Sequence, residues 1–192
     1  MKTENGFTLI ELLVTVAVVS ILLAVGVPEF KRMTEDNRLV ATINKLAGDL
    51  NLVRSESVKQ SRPVSICASA DGAACSGSSD WTSGWIAFLD LNRDGVVDNG
   101  EALIIRQVPL STGIQLRATQ FDDNTRLLYL PSGRLANTND PDGTFVLCDT
   151  RNNDTTRARA INVNALGRVS LARDTNDSGT RNDVEGNDIT CP

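Results

Sequence analysis

The sequence predicts an α+β protein in which one long N-terminal helix is packed on an antiparallel β domain. Three observations carry this. Residues 7–27 are an apolar run in which only Thr8, Glu11, Thr15 and Ser20 are polar, and only Glu11 is charged. Beyond Pro28 apolar residues recur at steps of three and four, the period of a half-buried helix. Beyond Pro63 the period falls to two, in short runs separated by Gly, Asn, Asp and Ser clusters that favour turns.

The apolar run is 21 residues long. At about 1.5 Å per residue it would reach roughly 31 Å, enough to cross a hydrocarbon core. A lone carboxylate there costs about 2.5 to 3.5 kcal/mol on insertion scales and calls for a partner. Cutting after Gly6 would expose the amine of Phe7, four residues before Glu11. Within one helix the two groups meet only if the first turn bends, whereas the amine of a neighbouring copy, shifted along the axis, can reach the carboxylate. A secretory signal or a plain membrane anchor are the rival readings. The first needs a shorter apolar region and a small-residue cleavage site after it, and the second leaves Glu11 unexplained.

Gly6-Phe7-Thr8-Leu9-Ile10-Glu11 followed by an apolar run resembles the class III signal of type IV pilins and type II secretion pseudopilins. The resemblance implies the pilin fold and cleavage by a prepilin peptidase between Gly6 and Phe7, with methylation of the new N-terminal phenylalanine. It also implies a role for Glu11, the fifth mature residue, in assembly. Its implied partners are the membrane, an inner-membrane assembly platform, and other major and minor pilins or pseudopilins. The implied location is the bacterial inner membrane, single-pass with a periplasmic C-terminal domain, and the filament itself.

Along the helix, Leu39, Val40, Ile43, Leu46, Ala47, Leu50 and Val53 form an apolar stripe, with Lys45, Asp49, Arg54 and Glu56 among the residues assigned to other faces. The helix is expected over 7–59, tolerating Pro28 within the membrane and ending before Arg62-Pro63. The chain then divides into a leader at 1–6, a transmembrane segment at 7–28, an amphipathic half at 29–62 and a β domain at 63–173. A polar tail at 174–192 is expected to be tied down by a cysteine rather than packed. Strands are expected at 64–68, 84–89, 102–107, 114–118, 126–130, 144–148, 158–163 and 168–172.

Arg54-Ser55-Glu56-Ser57, Gly84-Trp85-Ile86-Ala87-Phe88-Leu89-Asp90 and Ala165-Leu166-Gly167-Arg168-Val169 resemble the GspH/FimT type of minor pilin and pseudopilin. That resemblance implies a subunit that assembles into, primes or caps a type IV pilus or pilus-like filament. The alternatives it leaves are pseudopilin H of type II secretion and a DNA-binding minor pilin of natural transformation.

Net charge is −5, which disfavours nonspecific nucleic-acid binding. With no histidine in the chain, the commonest general base and transition-metal ligand is missing. No nucleophile stands with an activating base, so an enzyme is not expected. Cys67, Cys75, Cys148 and Cys191 read as two disulfides. Three pairings are open, and proximity favours Cys67 with Cys75. A zinc site is the rival, but no C-x-x-C pair exists.

Two clusters point to ligands. Segment 90–101 has the calcium-loop spacing, with Asp90, Asn92, Asp94, Asp98 and Glu101 as oxygen donors and Gly95 at the sharp turn. Its flanks look like strands, so a polar hairpin is the rival, and no other cofactor is expected. Arg157, Arg159, Arg168 and Arg173 form a basic group in the last third, with Arg157 and Arg159 expected on one strand face. Some relatives of FimT type bind DNA during natural transformation through a Gly-Arg-x-Arg motif near the C-terminus. Here Gly167-Arg168-Val169-Ser170 lacks the second arginine, and nearby acids make a solvated, charge-balanced surface the rival.

Overall fold

The computed structural model describes residues 8–136, 142–151 and 155–191. Helix α1 runs Leu9–Gln60 without interruption at Pro28. The chain divides at Arg38 and Leu39 into an N-terminal helical unit and a compact unit comprising the rest.

In the compact unit eight strands follow among the described residues, each within two residues of its expected ends: β1 Val64–Ala68, β2 Trp85–Leu89, β3 Leu103–Gln107, β4 Ile114–Thr119, β5 Arg126–Tyr129, β6 Gly143–Asp149, β7 Arg159–Val163 and β8 Val169–Leu171. They form two four-stranded sheets, ordered β3-β2-β1-β5 and β4-β6-β7-β8. All pairings are antiparallel. Leu39, Ile43, Leu46, Leu50 and Val53 of α1 share one core with Val64, Ile66, Trp85 and Tyr129 of the first sheet and Leu116, Phe145, Leu147 and Ile161 of the second. Trp81, in the loop before β2, joins the sheets. Its N–H donates to Leu116 O at 2.8 Å, and its ring meets Phe145 edge-on at 4.9 Å, a favoured aromatic geometry.

Period-two alternation normally leaves one sheet face wet, yet every residue of β1, β2 and β6 is buried. The reason is a disulfide-fastened flap on each outer face. Cys67, Ile86 and Phe88 lie under Cys75 and Val97, while Val146, Cys148, Ala160 and Ala172 lie under Ile189 and Cys191. Trp85 and Phe88 therefore point to opposite faces of one sheet. The structure pairs Cys67 with Cys75 and Cys148 with Cys191.

Two expectations are corrected. The described part of the tail, residues 174–191, stays mostly exposed but is packed at two points rather than merely tethered: Ile189 is 4 % exposed, and buried Asn182 accepts from the N–H and hydroxyl of Thr175 at 2.6 and 2.8 Å. Few apolar residues suffice here because the polar groups around them satisfy one another. Asp49 also leaves its expected solvent face. Lying three residues after Leu46 and four before Val53, it is inside the apolar stripe, where Lys45 Nζ donates to both its oxygens at 2.6 and 2.7 Å and Trp85 Nε1 donates to Oδ2 at 2.9 Å. Asp49→Ala leaves the indole N–H without an acceptor and is expected to cost about 2 to 3 kcal/mol in urea unfolding. Asp49→Asn, whose amide oxygen still accepts from Trp85, should cost less.

Candidate functional site

Glu11, the residue that the sequence marks for assembly, lies in the first turn of α1. Thr8 caps it: the Glu11 N–H donates to Thr8 Oγ1 at 3.3 Å and the Leu12 N–H to Thr8 O at 3.2 Å. Thr8-Leu9-Ile10-Glu11 is thus a capping-box sequence, and Glu11 sits where the helix N-terminus favours negative charge. That signal was present in the sequence as Thr-x-x-Glu, but the apolar run conceals it. Gly6 and Phe7 lie outside the described residues. From Leu9 to Val27 the large apolar side chains of this unit are 45–76 % exposed, so lipid or neighbouring helices must cover them. The helix is long and apolar enough to cross a membrane.

The basic cluster is regrouped. Arg157 belongs to a short 3₁₀ turn, Thr155–Arg157, before β7 begins at Arg159. The two therefore do not share a strand face, because the chain is still turning at Arg157, whose carbonyl accepts from Arg159 Nη1 at 2.7 Å. Arg168 is exposed on the turn after Gly167, its N–H donating to Asn164 Oδ1. Arg159 and Arg173 instead converge with Arg181, which the sequence reading missed, on a groove of about 330 Å³ floored by Val40, Ile43 and Leu171. Burial and the neighbouring Arg159 charge lower the Arg181 pKa, partly offset by Asp174. Three guanidiniums on an apolar floor suit an anionic partner with an apolar portion.

The 90–101 segment links β2 to β3, strand to strand. Asn92 Nδ2 donates to Asp94 Oδ2 at 2.8 Å and to Asp98 Oδ2 at 3.0 Å. Glu101 closes the loop by accepting the Leu91 and Asp98 N–H groups at 2.7 and 3.1 Å. No three acid or cysteine side chains among the described residues are already gathered as a formed metal site.

An N-terminal apolar helix with an acid in its first turn, continuing into a two-sheet antiparallel domain, is the architecture of the pilin fold. Residues 1–27 match the prokaryotic N-terminal methylation motif. Residues 42–167 match the family described as type II transport protein GspH, and the chain belongs to that family. Among solved structures, the type IV minor pilin FimU of Pseudomonas aeruginosa is similar with a TM-score of 0.54 at 23 % identity, over 73 % of this chain and 92 % of that one. The minor pseudopilin EpsH of Vibrio cholerae aligns with a TM-score of 0.49 at 13 % identity, over 70 % of this chain and 95 % of that one.

Proposed function

We propose that this chain is a structural subunit, not an enzyme: a minor pilin or pseudopilin that inserts in the bacterial inner membrane with its β domain in the periplasm. Prepilin peptidase cuts it between Gly6 and Phe7. It then joins, primes or caps a type IV pilus or a type II secretion pseudopilus. The observation that carries this reading is Glu11, the sole charge in the exposed apolar stretch Leu9 to Val27 of α1, which begins at a capped first turn. In a filament, that carboxylate is drawn to the Phe7 amine of the adjoining subunit while the apolar surfaces cover one another.

Deleting the gene and scoring surface pili, protein secretion and transformation in parallel tests the assignment. Loss of pili places the subunit in a type IV system, and loss of secretion places it in type II. No change in any of the three contradicts the proposal. Mass spectrometry of the mature chain should begin at a methylated Phe7, and a chain still beginning at Met1 contradicts it equally.

A second reading, a DNA receptor acting during uptake, is favoured by the groove of Arg159, Arg173 and Arg181. On this reading the affinity of the full chain for DNA falls steeply with salt in a gel-shift series. Arg173→Ala should then lower the slope of log K against log salt by about one unit. Binding that does not vary with salt rules it out.

A further inference from the structure

Asp90, at the end of β2, has a fully buried side chain. Its Oδ2 is well supplied: Ser65 Oγ donates to it, the Gly95 N–H donates at 3.1 Å and Arg126 Nη1 lies at 3.4 Å. Its Oδ1 is buried with no hydrogen-bond partner. The carboxylate is turned into the loop, since the Gly95 amide it accepts is the sixth residue of that loop. An acid oxygen withheld from water and given no donor is unfavourable, and Arg126 reaches only the other oxygen.

The loop surface carries the complementary deficit. Asp94 and Asp98 both aim an oxygen at one neutral donor, the Asn92 amide, so two negative charges share a group that cannot neutralise them. Turning that amide over, a near-isosteric change, replaces its NH₂ by an oxygen and leaves three oxygens around one point. The turned amide oxygen then lies 2.8 and 3.0 Å from the two carboxylate oxygens, a spacing open to neighbouring ligands that each sit roughly 2.3 to 2.6 Å from one shared cation, at the loss of the long 3.3 Å contact from the Asp94 N–H to Asn92 Oδ1. The loop carries Asp90, Asp94, Asp98 and Glu101 against Arg93, and Arg126, which reaches Asp90 Oδ2 at 3.4 Å, is shared with Asp123 at 3.8 Å, an acidic excess that a divalent ion reduces. Gly95 holds the left-handed conformation at φ 78° that the turn requires.

We propose that the 90–101 loop binds a calcium ion through Asp90, Asn92, Asp94 and Asp98, the Val96 carbonyl and water, outside any helix–loop–helix frame. Glu101 closes the loop through its two amide contacts rather than supplying the usual bidentate ligand, so affinity belongs to the weak regime of extracellular modules, Kd about 10⁻⁴ to 10⁻³ M. Segment 174–185 repeats the spacing, with the Gly179 N–H donating to Asp174 Oδ2 at 2.8 Å. There, however, Asn176, Ser178 and Asn182 all donate to Asp188 Oδ1, and no oxygen of Asp174 or Asp188 is a buried orphan. It is assigned no ion.

The test is calorimetric titration of the full chain in detergent micelles with calcium chloride, alongside melting in calcium, magnesium or EDTA. Saturable calcium heat and a Tm raised by about 5 °C near saturation are expected, with magnesium giving little. Asp94→Ala and Asp98→Ala, both at exposed positions, should weaken calcium binding at least tenfold while melting as wild type does in EDTA. Absence of saturable heat up to about 10 mM, roughly ten times the weakest Kd expected, overturns the proposal. So does an equal response to magnesium, undiminished calcium affinity in both variants, or loss of the response in Asp174→Asn instead.

Discussion

Glu11→Ala is expected to reach the membrane as well as wild type and to fail to enter filaments. Removing the carboxylate lowers the cost of insertion by roughly 2.5 to 3.5 kcal/mol, so membrane content should not fall. What is lost is the charge that seeks the Phe7 amine of the neighbour. Because Glu11 also stands at the third position of a capping box with Thr8, weakened helix entry is a competing explanation for any defect, and Glu11→Gln separates the two. Glutamine serves a capping box nearly as well as glutamate but carries no charge. Co-sedimentation of each variant with sheared filaments is the measurement. Gln behaving like Ala supports pairing between subunits, and Gln assembling like wild type would end that account of assembly.

The double variant Cys148→Ser, Cys191→Ser is expected to show the largest loss of stability. Its bridge spans 43 residues, and in the chain-entropy model a loop of that length contributes about 4 kcal/mol, against about 2.5 for the eight-residue separation of Cys67 and Cys75. A drop in Tm on the order of 10 °C follows. Serine at 148 also puts a hydroxyl among Val146, Ala160 and Ile189, adding to the loss. The pattern of exchange matters as much as its size. Amide protection should fall along β6, β7 and the 182–191 segment, whose cover has been released, while β1 and β2, closed by the other bridge, keep theirs. Uniform loss of protection in both sheets would show that the bridge acts on the whole domain rather than on one flap.

Most of the architecture could be read from residue order. Leu39, Ile43, Leu46, Leu50 and Val53 fix the buried stripe of α1, and turn-forming clusters separate eight apolar runs that become eight strands. What escaped the reading depends on contacts between distant residues. Asp49 is acidic and sits beside Lys45, so it reads as solvated, and only the arrival of Trp85, 36 positions later, makes its burial tolerable. Arg181 looks like one charge in a polar tail until the fold brings it beside Arg159 and Arg173. Ile189 has no periodic neighbours, hence nothing marks it as core. The loop at 90–101 was legible by spacing alone, but the orphan oxygen of Asp90 was not, because it depends on β1 and Arg126 taking the other one. Glu11 is conspicuous for its charge, while the apolar run around it hides the cap that Thr8 supplies.

The flap over β6 also sets an order of events during biogenesis. That strand leaves the ribosome about forty residues before Ile189 and Cys191, which must return to seal its second side. Until they do, Val146 and its neighbours present a sticky apolar strip to every other nascent chain nearby, the circumstance in which half-made β structure aggregates. Closure of the Cys148–Cys191 bridge therefore comes last in chain order, and slowing oxidation in the cell should lower the yield of this subunit before any difference in its finished form can be detected.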